Sequence, residues 1–111
     1  HDAGIVIVPG TEEGDGSLVL VSELQLYADA GIPTADVLKI ATLGTARHLG
    51  VDREVGTIEA GKLADFLLVP GDPTRDLQLL RRARVVVKDG VGLFPAEVHA
   101  ALAIKPFATR P

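Results

Sequence analysis

Three acidic side chains follow the first apolar run of the chain, and they are the residues best placed to do chemistry. The run IVIV at positions 5–8 stops at a Pro-Gly pair, and Glu12, Glu13 and Asp15 come next, interleaved with glycine. Two interpretations are open at this point. A buried strand could simply leave the core and meet water here. Alternatively, the segment could be the end of a parallel barrel strand, which is where the catalytic acids of such barrels lie.

The elements that would position these acids are a strand and two helices. The run 5–8 has the length and the β-branched content of a strand buried on both faces of a parallel sheet. Capping residues and apolar spacing predict helices from Ser17 to about residue 30 and from Thr34 to about residue 49. Because one parallel strand cannot form a sheet alone, we expect its partners to come from another chain or from polypeptide outside this sequence.

The second half of the chain has a different character, with short extended runs separated by glycine and proline. The pair Asp89-Gly90 is a strong signal for a hairpin turn. The predicted elements are strands at 63–69, 84–88 and 91–94, a helical turn at 76–82 and a short helix at 96–103.

Composition narrows the class of protein. The 111 residues are 47% hydrophobic, which is high for a chain that must cover its own core and indicates apolar surface packed against protein outside this sequence. No apolar run reaches the length of a membrane span. A net charge of −4 without a basic, aromatic stripe disfavours nucleic acid as a partner. The absence of cysteine excludes disulfides and thiolate metal sites. No signal peptide is visible, so we expect a cytoplasmic location.

Four segments, taken in order, carry a family resemblance. They are HDAGIVIVPGTE, ELQLYADAGIPTADVLKIATLGTARHLGV, VGTIEAGKLADFLLVPGDP and RARVVVKDGVGL, and the third is the most specific. Together they resemble the C-terminal third of the amidohydrolase superfamily, in particular its imidazolonepropionase- and prolidase-like branch.

The resemblance implies an α/β fold, made of the C-terminal part of a (β/α)₈ TIM-type barrel plus strands of a small accessory β-sandwich domain. Residues 1–50 would form the last barrel strand and its helices, and residues 51–94 part of the sandwich. Residues 95–111 would form a C-terminal tail with a short helix. The remainder of the same polypeptide would complete the barrel.

The resemblance also implies a chemistry, namely metal-dependent hydrolysis of amide or cyclic amide C–N bonds by a metal-activated water. The cofactor would be a divalent metal, one or two zinc ions by expectation. Glu12 would be a metal ligand or the acid that handles the proton of that water, and Thr11 could orient its carboxylate. The family usually carries Asp at this position, and Glu reaches farther by about 1.5 Å, the length of one carbon–carbon bond.

Most of the metal site would lie outside this segment. The three histidines, His1, His48 and His99, match none of the family's ligand positions. We expect a small amide or dipeptide-like molecule as substrate, and homo-oligomerisation stays open. Two alternatives also stay open: a non-catalytic remnant that binds a partner, and a free-standing α+β domain. By contrast, Lys62 and Asp65 are expected to be structural, and Glu13 and Asp15 to be solvated loop residues.

Overall fold

The computed structural model describes residues 2–11 and 16–103, and of residues 16–18 the backbone only. Helix α1 spans Gly16–Asp29, close to the predicted limits. It is followed by α2, Thr34–Lys39, which continues without a break through a π-helical segment, Ile40–Gly44, into α3, Thr45–His48. The two helices predicted from the sequence are therefore confirmed, with an unpredicted wide turn inside the second.

Hydroxyl groups accompany the wide turn. The Thr45 hydroxyl donates to the carbonyl oxygen of Ile40 at 2.8 Å, and the Thr42 hydroxyl donates to that of Leu38, also at 2.8 Å. A threonine side chain can thus occupy carbonyl groups of the preceding turn and compete with the regular helical pattern. The spacing of apolar residues in the sequence does not predict such a turn, because the apolar residues before and after it are also compatible with a regular helix.

The sheet is a three-stranded antiparallel meander in the order β1-β2-β3. Strand β1 is Phe66–Leu68, β2 is Val85–Lys88 and β3 is Val91–Leu93. The turn between β2 and β3 has positive φ at both central residues, 50° at Asp89 and 77° at Gly90, as a tight hairpin requires. The strands predicted here are confirmed, although each is shorter than the run that predicted it.

Two further elements agree with the sequence. A 3₁₀ helix spans Leu77–Arg82, and the Asp76 carboxylate caps it by accepting the N–H of Gln78 at 2.9 Å. Helix α4 spans Pro95–Ala101. Within residues 2–11 and 16–103, no helix combines the length and apolar content that crossing a bilayer requires.

The core lies where the helices meet the segment between β1 and β2. Leu24 of α1, Val37 of α2 and Leu77 of the 3₁₀ helix form its centre, each at most 2% exposed. Six partly buried side chains pack around them: Tyr27, Ala28, Ile32, Leu38, Ala41 and Leu80. This packing holds α1 against α2 and the 3₁₀ helix.

The prediction of a buried strand at residues 5–8 is wrong for the structure of this chain. Residues 4–11 form no regular element, and the side chains of Ile5 and Val6 are each 70% exposed. A strand exists only where a second backbone pairs with it, and the sheet of the described residues is the meander of β1, β2 and β3. Helices and strands together agree with the predicted α/β class, whereas the barrel and sandwich assignments stay predictions.

Candidate functional site

A carboxylate on α1 holds the end of the apolar segment 4–11. The backbone N–H of Gly10 donates to both carboxylate oxygens of Glu23, at 3.2 Å to each. The phenol of Tyr27 donates to Oε1 of the same carboxylate at 2.5 Å. A charged acceptor makes these bonds stronger than bonds between neutral groups. Glu23 therefore links a residue 13 positions earlier in the chain to the helix.

Helical spacing places the side chains of Glu23 and Tyr27 next to each other. Glu23 and Tyr27 are four residues apart on α1, and side chains at that spacing are neighbours on one helix face. Tyr27 also packs against the core cluster. Burial, together with the hydrogen bond and the negative charge of Glu23, raises the pKa of Tyr27 to about 12. The phenol thus keeps its proton at neutral pH and acts as a hydrogen-bond donor.

Glu12, the predicted catalytic and metal-binding residue, lies outside the described residues, and so do Glu13 and Asp15. Glu12 follows Gly10 by two residues in the sequence. Thr11, which precedes it, is exposed. The structure therefore describes the chain as far as the residue before Glu12, and the role of Glu12 stays a prediction.

Sequence reasoning missed Glu23. Its signal was an acid one helical turn before a tyrosine, a pattern that is common on helix surfaces and does not reveal a bond to a distant backbone group. Tyr27 was expected to pack in the core, and it does so.

The described residues do not by themselves fit a metal ion. Among them, no three histidine, aspartate or glutamate side chains lie close enough to share one cation. A zinc site needs three or four ligands that converge on one point. Any metal of the predicted kind would therefore depend on side chains beyond those described.

An apolar cleft of about 690 Å³ lies between the sheet and the second helical segment, which is the continuous helix formed by α2, the π-helical turn and α3. On the helical side it is lined by Ala41, Thr45 and Leu49, and on the sheet side by Phe66 and Val86. Asp65 is the one ionisable side chain among the described residues that line it. This composition suits the packing of apolar side chains better than it suits catalysis.

The carboxylate of Asp65 is committed to structure. Its Oδ1 accepts the backbone N–H of Asp89 at 2.6 Å, and its Oδ2 accepts the ammonium of Lys88 at 2.6 Å. The bond from the Asp89 backbone, followed by that from Lys88, lowers the pKa of Asp65 below its ordinary 3.8. This agrees with the expectation that Asp65 satisfies backbone donors, and it ties β1 to the hairpin turn.

Lys62 is likewise structural. Its ammonium donates to the carbonyl oxygen of Asp52 at 2.8 Å and to the hydroxyl of Thr57 at 2.5 Å. The side chain is only 13% exposed. Lys62 thereby closes the loop that leads from α3 to the sheet.

Comparison with known proteins identifies close similarities. The family model described as Amidohydrolase family matches residues 1–91. A 5-methylthioadenosine/S-adenosylhomocysteine deaminase of Moorella thermoacetica is 36% identical over 78 residues, which cover 60% of this chain and 18% of the relative. An imidazolonepropionase of Legionella pneumophila is 35% identical over 60 residues, covering 54% of this chain and 14% of the relative.

A solved structure agrees with these relatives. A Bifidobacterium longum protein assigned as a prolidase superimposes with a TM-score of 0.77 and 34% identity, covering 93% of this chain and 28% of that one. The chain therefore spans less than a third of the length of each of these three proteins.

Proposed function

Because this chain belongs to the amidohydrolase family, we propose that the polypeptide containing it hydrolyses a C–N bond of a small molecule. The match over residues 1–91 is the observation that carries the proposal. Three relatives with different activities support the proposal, since their names denote a deaminase, an imidazolonepropionase and a prolidase. Each of these names describes cleavage of a C–N bond by water.

The first candidate substrate is a dipeptide or a similar small amide. The structural similarity to the prolidase supports it, because that similarity extends over 93% of this chain. A second candidate reaction is the hydrolytic removal of an amino group from a purine, which the similarity to the deaminase favours. The two reactions are distinguished by their products, an amino acid in the first and ammonia in the second.

Glu12 is the residue of this chain that we assign to the reaction, as a metal ligand or as the acid that handles the proton of the attacking water. A divalent metal, zinc by expectation, belongs to the same proposal. Since the described residues form no metal centre, its other ligands would come from further polypeptide. The proposed parts are a barrel end at residues 1–50, part of a β-sandwich at 51–94 and a tail at 95–111.

The proposal is tested with Glu12→Gln in the complete polypeptide. Gln keeps the size of the side chain and removes its charge and its basicity. Loss of a proton-handling group typically costs a factor of about 100 to 10,000 in rate, so we expect kcat to fall at least about 100-fold. The assay follows release of proline from dipeptides and of ammonia from aminopurines in parallel.

Two matched variants complete the test. Glu13→Gln makes the same change one residue later, where the carboxylate is expected to be solvated, and should leave kcat unchanged. Glu12→Asp restores the acid that is usual in the family and should retain activity. Wild-type rates in Glu12→Gln would remove Glu12 from the reaction. A metal-loaded wild-type protein that is inactive on every substrate of the panel would favour the non-catalytic alternative.

A further inference from the structure

Strand β1 lies at one end of the sheet order, with β2 as its one neighbour among the described strands. The carbonyl oxygens of Ala64 and Leu68 accept the N–H groups of Gly90 and Arg84, so both carbonyls point toward the β2 side. Because backbone groups alternate in direction along a strand, the N–H and C=O of Leu67 point the other way. The outer edge of β1 therefore offers a donor and an acceptor at Leu67 to a further strand.

This edge lacks the features that usually protect an exposed strand. Edge strands that face water tend to carry lysine or proline, which discourage pairing with another backbone. The three residues of β1 are Phe, Leu and Leu. The side chains of Leu67 and Leu68 are 49% and 52% exposed. The composition of β1 thus suits a strand that has neighbours on both sides.

Apolar surface continues from this edge across the sheet and into the cleft. The register places Leu67 opposite Val86, and Val86 opposite Leu93, so the three side chains form one row on one face of the sheet. Leu67 and Val86 also line the cleft, as do Leu49 and Ile58. The side chain of Ile58 is 82% exposed although it lines an apolar cleft. Contiguous apolar surface of this kind marks a place where further protein packs.

The polar side chains of the cleft are already bonded within the chain. The hydroxyls of Thr42 and Thr45 donate to carbonyl oxygens of their own helical segment. The Thr57 hydroxyl accepts the ammonium of Lys62, and both carboxylate oxygens of Asp65 accept N–H groups. A site for a small polar molecule keeps a few polar groups directed at its ligand. This cleft therefore suits apolar side chains and not a polar substrate.

We propose that an apolar β-strand of the same polypeptide, from a part outside residues 1–111, pairs with the free edge of β1 at Leu67 and places alternate side chains in the cleft. A strand is the occupant because the edge groups of Leu67 require a second backbone, and strand addition supplies both the hydrogen bonds and the alternating side chains.

The inference rests on one part of the proposed function, namely that this chain belongs to a longer polypeptide. The lengths of the relatives support that part. The chain covers 28% of the prolidase structure and 18% of the deaminase, so most of each relative lies outside the region of similarity. A strand from the same polypeptide therefore explains the uncovered edge without requiring another protein.

The first test introduces a thiol at the edge. Because the chain contains no cysteine, Leu67→Cys in the complete polypeptide gives this region a single reactive group. Leu26→Cys is the matched control, since Leu26 is 66% exposed on α1 and does not line the cleft. Maleimide labelling is followed by the mass of the peptide that carries the thiol. We expect labelling at position 67 to be at least about 100-fold slower than at position 26, and equal rates would overturn the proposal.

Hydrogen exchange tests the backbone pairing without a substitution. In the complete wild-type polypeptide, the amide of Leu67 should exchange at least about 100-fold more slowly than in an unstructured peptide of the same sequence. Exchange at the rate of the unstructured peptide would show that the edge is unpaired. That result would overturn the proposal even if the thiol at position 67 were protected.

Photo-crosslinking identifies the occupant. With p-benzoylphenylalanine in place of Ile58, we expect a product with the mass of one polypeptide, in which position 58 is joined to residues outside 1–111. A product of twice that mass would indicate a second copy and overturn the proposal, and so would crosslinks confined to residues 1–111.

None of these three measurements uses activity, so the two proposals fail separately. A polypeptide that hydrolyses no substrate but shows a covered edge removes the proposed function alone. An active polypeptide whose Leu67 edge is unpaired removes this inference alone.

Discussion

Replacement of Gly56 by alanine gives the sharpest test of how the second helical segment meets the loop that follows it. Gly56 has a φ of +94°, a conformation that other residues adopt only with strain. A Cβ atom at this position would lie 2.7 Å from Cβ of Ala46 and 3.1 Å from Cα of Leu43. The second of these atoms is backbone, so it cannot move aside by a change of rotamer. The substitution therefore combines conformational strain with a steric clash.

A nearby glycine allows the two costs to be separated. Gly61 has almost the same φ, +91°, but a Cβ built there meets nothing within 4 Å. Strain alone costs about 1–3 kcal/mol, and forcing an extra methyl into a packed region adds about 1–3 kcal/mol. We therefore expect Gly61→Ala to lower the free energy of unfolding by about 1–3 kcal/mol and Gly56→Ala by about 2–6 kcal/mol.

Urea unfolding followed by far-ultraviolet circular dichroism measures both variants. If the free energy of unfolding falls with urea concentration at the same slope in both variants as in wild type, all three unfold between comparable states. The difference in their unfolding midpoints then reports a difference in stability. The difference between the two alanine variants isolates the clash with Ala46 and Leu43. Equal losses of stability at the two positions would refute the reasoning. They would show that Ala46 and Leu43 move aside for the added methyl group without a loss of free energy.

Two further predictions concern the core and the hairpin. Leu77→Ala should lower the free energy of unfolding by about 2–5 kcal/mol, because this side chain is buried in the core and only 2% exposed. Leu26 on α1 is 66% exposed and serves as the control. In the same urea assay, Leu26→Ala should change the free energy of unfolding by less than about 0.5 kcal/mol. Asp65→Asn should reduce the loss of stability in acid. Because the folded-state pKa of Asp65 lies below 3.8, its contribution is present above that pH and is lost as the pH falls through the folded-state value. The free energy of unfolding should therefore fall more between about pH 5 and about pH 2.5 in wild type than in Asp65→Asn. An equal fall in the two proteins would contradict this prediction.

Local signals in the sequence were sufficient for the helices and the hairpin. Apolar spacing and capping residues located α1 within about one residue at each end, and Asp89-Gly90 identified the turn between β2 and β3. These elements depend on interactions among residues close in the chain. The run 5–8 failed as a strand because its composition shows only that its side chains suit a buried sheet; the pairing partner has to come from elsewhere.

The candidate site was predictable only in part. Glu12 was identified through the family resemblance and its position after an apolar run, and its role stays a prediction. Glu23 was missed because its bond to Gly10 crosses 13 residues and depends on how α1 packs. The wide turn at Ile40–Gly44 was missed for a related reason, since a π-helical turn follows from hydroxyl contacts and packing more than from periodicity.

That wide turn limits which changes of length the chain can accept. It lies between Val37, which is buried against α1, and Ala46, which is buried near Gly56. The wide turn accommodates one residue more than a regular α-helical turn, so loss of one residue here would restore a regular helix and keep the flanking residues on nearly their present faces. Loss of one residue from the α-helical part on either side would instead rotate everything after it by about 100°, the angle between successive α-helical residues. Only in that second case would one of the two buried contacts lose its direction. One-residue gaps in an alignment of relatives should therefore fall at positions 40–44 and not in the helical residues on either side.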